Sequence, residues 1–118
     1  MEALLFEHLK DQVPLAGRRV YAIEADPETS PPYIVYRRVS AARDYTHDGY
    51  SSLTRARIQI MPYAETFDEM RDIVEEIDEA LEGWDEVQAT FKDNDLDRDR
   101  TESGLFTSLQ DWIIWFTD

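Results

Sequence analysis

The chain has 118 residues, with 26 acidic and 12 basic side chains, a net charge of −14 at pH 7, and no cysteine. Its length predicts a single domain, residues 1–118, and its 42% hydrophobic content favours a folded globule over a disordered chain. This composition excludes a disulfide framework and a thiolate metal site, offers no apolar run of transmembrane length, and argues strongly against ordinary DNA or RNA binding.

The first half predicts a helix followed by two strands. Apolar positions within residues 2–12 recur at helical spacing, and this helix is expected to end before Pro14. Residues 18–23 and 33–39 are rich in aromatic and β-branched side chains, which are typical of strands. The prolines of residues 26–32 predict a loop between the two strands.

A third strand passes directly into a second helix. Residues 54–63 alternate between polar and apolar side chains, as expected for a half-buried strand. A helix is predicted over residues 66–82, because Thr66 and Glu69 have the spacing of a capping box and Gly83 fits the left-handed position past the helix end. The apolar stripe of this helix consists of Phe67, Met70, Ile73, Val74, Ile77 and Leu81.

The end of the chain predicts a hairpin. Strands are expected at residues 87–91 and 105–117, joined by a long charged loop at residues 92–104. With the preceding elements they predict an α+β fold. Its sheet is expected to be mostly antiparallel or mixed, with four to five strands and two helices packed on one face.

The last strand is apolar on both faces. Trp112, Ile114 and Phe116 alternate with Ile113 and Trp115, so each face of the strand carries large apolar side chains. The helices can cover only one face of the sheet. A partner is expected to cover the second face, since soluble monomers avoid exposed apolar strands, and a loop folding over it is the alternative.

No catalytic, cofactor or metal site is predicted, and an enzyme is not expected. Four alternating aspartates begin at Asp93, but an EF-hand loop counted from there would need glycine and glutamate where the chain has Arg98 and Gly104. His8 and His47 lie in different segments without a metal-binding pattern, and His8 is expected to be partly buried with a satisfied nitrogen. The chain has neither a nucleophile elbow nor a glycine-rich phosphate loop.

Three segments resemble one known family. Its second-strand pattern, PY-V-Y, is similar to Pro32-Tyr-Ile-Val-Tyr-Arg-Arg-Val-Ser. Its strand–helix passage, RVQI…YA, is similar to Leu53-Thr-Arg-Ala-Arg-Ile-Gln-Ile followed by Tyr63-Ala. Its terminal strand, DFRVW, is similar to Asp111-Trp-Ile-Ile-Trp-Phe. The family is the tail completion, or tail terminator, proteins of long-tailed phages and related gene transfer agents.

The resemblance implies a structural virion protein without a cofactor. Such proteins form a hexameric ring that caps the tail tube, terminates tail polymerisation and provides the head–tail joining surface. The implied partners are other copies of the chain, the tail tube protein and the head–tail connector protein, while DNA passes through without specific binding. The implied location is the tail–neck region of the virion, reached from the host cytoplasm during assembly without membrane association.

Candidate interface residues follow from the resemblance and from the charges. The resemblance implies that the connection at residues 41–53 projects towards the tail tube. Arginines on the strands are expected to pair with carboxylates of a neighbouring subunit, and the closing strand is expected to pack against that subunit. The candidates are Arg43, Asp44, Tyr45 and Tyr50 in the connection, Arg37, Arg55 and Arg57 on the strands, and Trp112 and Trp115 on the closing strand.

The acidic residues leave several interpretations open. Residues 1–63 carry eight acids and eight bases, whereas residues 64–118 carry eighteen acids and four bases. A solvated face that maintains solubility is the simplest interpretation, and adaptation to high salt is another. Within a ring, part of this excess, on helix 66–82 or on residues 93–99, is expected to face the channel and repel DNA. The alternative function is an acidic DNA-mimic inhibitor of a nucleic-acid enzyme, with a stripe formed by Asp68, Asp72, Glu75, Glu76, Glu79 and Glu82.

Overall fold

A five-stranded mixed sheet with two helices forms the fold. The computed structural model describes residues 1–17, 19–25, 29–43, 53–100 and 104–117. The elements are α1 (Glu2–Gln12), a short 3-10 turn (Pro14–Ala16), β1 (Val20–Ala22), β2 (Tyr33–Arg43), β3 (Leu53–Ala64), α2 (Phe67–Leu81), β4 (Ala89–Arg100) and β5 (Phe106–Thr117). The strand order is β1-β2-β3-β5-β4, in which β1 pairs parallel with β2 and the other pairs are antiparallel. The predicted α+β class is confirmed.

The core lies between the sheet and the two helices. Ile73 and Ile77 of α2 are fully buried, and so are Ile58 and Ile60 of β3, because the apolar side of each element faces the other. All four belong to one buried cluster that also includes Leu5 of α1. Both helices therefore cover the same side of the sheet, and the opposite side is called the helix-free face below.

Helix α2 begins and ends at positions set by local chemistry. Thr66 is the N-cap, and its Oγ1 accepts a hydrogen bond from the backbone N–H of Glu69 at 3.1 Å. Gly83 follows the helix with a φ of +70°, a conformation that glycine adopts without strain. Phe67 departs from the predicted stripe, because its side chain is exposed and its ring meets Phe106 edge-on.

The predicted charged loop at residues 92–104 is wrong. β4 continues to Arg100, and its register with β5 includes Leu96 opposite Leu109. Asp and Asn have low strand propensity, but backbone pairing with β5 overrides it, and charged residues are common on strands at a sheet edge. β2 also extends beyond its predicted end, to Arg43.

The first strand is shorter than predicted. β1 covers only Val20–Ala22, whereas residues 18–23 were expected to form the strand. Ile23 has a φ of +73°, and the backbone N–H of Glu24 donates to the carbonyl of Ala22 at 2.8 Å, which closes a tight turn. The strand ends because this turn leads the chain away from β2.

Candidate interaction surface

A groove on the helix-free face is the strongest candidate interaction surface. It has a volume of about 440 Å³ and crosses β2, β3, β5 and β4. The groove exists because four neighbouring strands contribute small and large side chains side by side. Its lining consists of Ser40, Ala41, Ala42, Arg55, Arg57, Phe91, Asp93, Ile113 and Trp115.

The apolar part of the groove is formed by β4 and β5. Phe91 lies opposite Ile113 in the antiparallel register, and its side chain is 55% exposed. Ile113 is buried and Trp115 is half-buried, so neighbouring strands already cover much of the closing strand's second face. Trp112 points to the other side and lies in the core. The most exposed aromatic side chain of this surface, Phe91, was not singled out by the sequence.

The polar part of the groove contains an ion pair within the chain. Arg57 Nη1 donates to Asp93 Oδ2 at 2.8 Å, and Asp111 Oδ2 lies 3.9 Å from the same nitrogen. The hydrogen bond with Asp93 raises the pKa of Arg57, so the guanidinium stays charged. Arg37 Nε donates to Gln59 Oε1 at 3.2 Å, while Arg55 is exposed. Arg57, which was expected to pair with a neighbouring subunit, is thus already bound to a carboxylate of its own chain.

A tyrosine cluster occupies the far end of the helix-free face. Tyr33 and Tyr63 stack with ring centroids 5.0 Å apart, and Tyr21 meets Tyr33 edge-on at 6.3 Å. Burial and the neighbouring Tyr63 raise the pKa of Tyr33, so its phenol remains neutral near pH 7. The helix-free face therefore has an aromatic end and a groove end that contains charged groups.

The strands on either side of the predicted tube-contacting connection end near the groove. Asp44, Tyr45 and Tyr50 lie outside the described residues. The register places Arg43 opposite Thr54 and Leu53 opposite Thr117. The strands that carry this connection therefore end beside the groove.

The acidic side chains divide into two groups. Asp93 is bound to Arg57, and Asp95 Oδ2 accepts a hydrogen bond from Lys92 Nζ at 2.7 Å. On α2 and at its C-cap, by contrast, most of the carboxylates of the predicted stripe are exposed to solvent. These exposed residues are Asp68, Asp72, Glu75, Glu79 and Glu82, whereas Glu76 is half-buried and accepts a hydrogen bond from the backbone N–H of Leu15.

His8 behaves as a structural side chain. Its Nε2 lies 2.6 Å from the carbonyl oxygen of Ala80, and its ring stacks on Trp84 at 4.4 Å, which confirms the predicted satisfied nitrogen. Among the described residues, no group of three or more histidines, aspartates and glutamates is placed to hold a metal ion. No helix in the described part of the chain is long and apolar enough to cross a membrane.

Comparison with known proteins identifies a family that covers nearly the whole chain. A family model described as "Tail completion protein gp17" matches residues 3–117. A search of curated proteins finds no match. The matched region includes all but the first residue of α1, the whole of α2 and all five strands, so the family and the fold are assigned over one continuous stretch.

Proposed function

Because this chain belongs to the phage tail completion family, we propose that it caps the tail tube as a ring of identical copies. The ring stops polymerisation of the tube and presents the surface to which the head connector binds. Six copies are proposed, as in the rings that the resemblance implies. The observation that carries the proposal is the family match over residues 3–117. The virion's tail–neck region is the proposed location, following assembly in the host cytoplasm.

The groove end of the helix-free face is the proposed contact with the tail tube. It combines the half-buried ring of Trp115 with the exposed cation Arg55. The strands that carry the connection between Arg43 and Leu53 end beside it. In this proposal Asp44, Tyr45 and Tyr50 approach the tube.

The outer face of α2 is the proposed channel lining. DNA that passes through a completed tail must not bind the wall, and like charges repel phosphates. Asp72 and Glu79 are two of the exposed carboxylates of this helix. On β4, by contrast, Asp93 and Asp95 are held in ion pairs. Exposed, unneutralised carboxylates create the stronger negative field, which supports α2 over β4 for this role.

The same carboxylates support a second candidate function. A row of exposed acids along one helix resembles the regularly spaced phosphates of a nucleic-acid strand. The chain would then inhibit a nucleic-acid enzyme by occupying its DNA site. Family membership favours the structural role. Pull-down against a nuclease and against a tail tube protein would separate the two functions.

Native mass spectrometry and electron microscopy test the ring. The purified chain, mixed with its tail tube protein, is expected to give a hexamer mass and tubes that carry a ring at one end. Tubes that polymerise in its presence should stop growing once capped. A chain that stays monomeric with tubes present, and leaves their growth unchanged, would reject the proposal.

A further inference from the structure

The sheet has two open edges on opposite sides. β1 pairs with β2 only from Ile34 to Tyr36, so within the described ranges no strand lies beside residues 37–43 of β2. On the other side, β4 pairs with β5 along one side, and its outer side has no strand neighbour among the described residues. Open edges present unpaired backbone donors and acceptors, which are a template for pairing with another chain.

The turn at Ile23 is what uncovers the β2 edge. A β-branched residue with a φ of +73° is strained, and the side chain of Ile23 is also 69% exposed. Ile23 still donates its backbone N–H to the carbonyl of Tyr36 at 2.8 Å, after which the chain leaves the sheet. Local strain and an exposed apolar side chain therefore coincide where β2 becomes accessible.

Exposed apolar side chains lie at both edges. Val39 sits in the β2 bulge between Arg38 and Ser40, within the open stretch of that edge, and is 48% exposed. Phe91 lies on β4 at the opposite edge of the sheet. Each edge thus offers an apolar anchor beside its free backbone groups.

The two edges carry formal charges of opposite sign. Residues 37–43 contain three arginines and no acid. β4 contains four aspartates and three bases, and two of these aspartates are already paired within the chain, Asp93 with Arg57 and Asp95 with Lys92. Because the two edges differ and lie on opposite sides of the sheet, they suit head-to-tail contacts, which can close into a ring.

We propose that the β2 edge of one copy pairs with the β4 edge of a second copy, so that neighbouring sheets join through backbone hydrogen bonds. Ile23 and Val39 of one copy then pack near Phe91 of the next, and the positively charged β2 edge lies beside the negatively charged β4 edge. This proposal rests on the ring proposed above and names the surfaces that form it.

Cysteine cross-linking tests the pairing directly, because the natural chain has no cysteine. A chain carrying both Val39→Cys and Phe91→Cys, treated with a short bismaleimide, is expected to form a ladder of covalent oligomers. Each single variant alone should remain one chain, and a mixture of the two should stop at dimers. Leu4→Cys combined with Phe91→Cys is the matched control, because Leu4 is 45% exposed but lies on α1. If either single cysteine variant cross-links to another copy of itself, two identical edges pair with each other, which contradicts the proposed pairing.

Edge blocking provides a second test. Val39→Lys places a charge at the open edge, a common natural means of preventing strand pairing. The variant is expected to lose the oligomer mass but keep the circular dichroism spectrum of the folded chain, while Leu4→Lys keeps both. Edge pairing is overturned if the wild-type chain forms a ring but the chain with Val39→Cys and Phe91→Cys does not cross-link. It is also overturned if Val39→Lys assembles normally. In both cases the ring proposal itself stands. A wild-type chain that remains monomeric with tail tubes overturns both proposals.

Discussion

Lys92 on the edge strand β4 binds Asp78 on α2, with Nζ 2.9 Å from Oδ1 and 3.1 Å from Oδ2. The same nitrogen donates to Asp95, and Gln110 Nε2 donates to Asp78 Oδ1 at 3.0 Å. This polar cluster lies on the helix side of the sheet. It fixes the outermost strand to the helix layer, so the β4 edge has a defined position relative to the core.

Replacing Lys92 by methionine should destabilise the fold. The substitution leaves Asp78 and Asp95 without their shared cation, and we expect a loss of about 1–3 kcal/mol in the free energy of unfolding. Arg38→Met is the matched control, because the Arg38–Glu2 pair is about half exposed, with side-chain exposures of 50% and 44%, against 22% and 26% for Lys92 and Asp78. Such exposed pairs contribute about 0–1 kcal/mol. Equal urea midpoints for the two variants would contradict this prediction.

Acid should weaken the same cluster. Burial alone would raise the pKa of Asp95, but hydrogen bonds from Lys92 and Ser108 and the charges of Lys92 and Arg71 lower it on balance. A pKa below the unfolded value of about 3.9 gives stability that is present above that pH and is lost as the pH falls through the folded pKa. The melting temperature of the wild type should therefore fall more steeply below about pH 4 than that of Asp95→Asn. Parallel curves of melting temperature against pH for the two proteins would show that Asp95 does not contribute to the loss of stability in acid.

Core truncations test the packing of α2 on β3. Ile58→Ala and Ile77→Ala each remove a fully buried side chain and should cost about 2–5 kcal/mol. Leu4→Ala removes apolar atoms from an exposed site and is expected to change stability by less than about 0.5 kcal/mol. Chemical denaturation gives all three values. An isoleucine variant that melts like the wild type would place that residue outside the core.

Loss of the N-cap should have a smaller effect. Thr66→Ala removes the acceptor for the Glu69 backbone N–H, and we expect a loss of about 1 kcal/mol. Thr66→Ser keeps an oxygen at the same position and should recover most of the loss. Thermal melts of the three proteins would decide, and a serine variant as unstable as the alanine variant would argue against the hydrogen bond as the cause.

Deleting residues 45–50 should separate folding from tail capping. The described strands pair without these residues, so the shortened chain is expected to keep its circular dichroism spectrum and melting temperature. Tail capping should be lost if the connection contacts the tube. A Gly-Ser replacement of equal length distinguishes lost contacts from a changed loop length. Infectious tails of normal length from both variants would remove this segment from the interface.

Local signals predicted some elements well and others poorly. The sequence predicted α2 over residues 66–82, against the observed Phe67–Leu81, because capping and helical periodicity depend on nearby residues. The second half of β4 was missed because its aspartates favour loops and its pairing partner lies elsewhere in the chain. Arg57 and Asp93 are 36 residues apart in the chain, so local sequence patterns did not predict their ion pair either. Nor does composition reveal that β5 inserts between β3 and β4.

The two hairpins of the sheet point in opposite directions. β2 and β3 are joined beyond Arg43 and Leu53, beside Thr117, whereas β4 and β5 are joined at the other end of the sheet, beside Ala64. The molecule measures 51 Å along its longest axis. In a ring closed through sheet edges, one hairpin of every copy would lie at one rim and the other hairpin at the opposite rim. The chain's connectivity would then give the ring a top and a bottom, and the ring could mount on a tail in only one orientation.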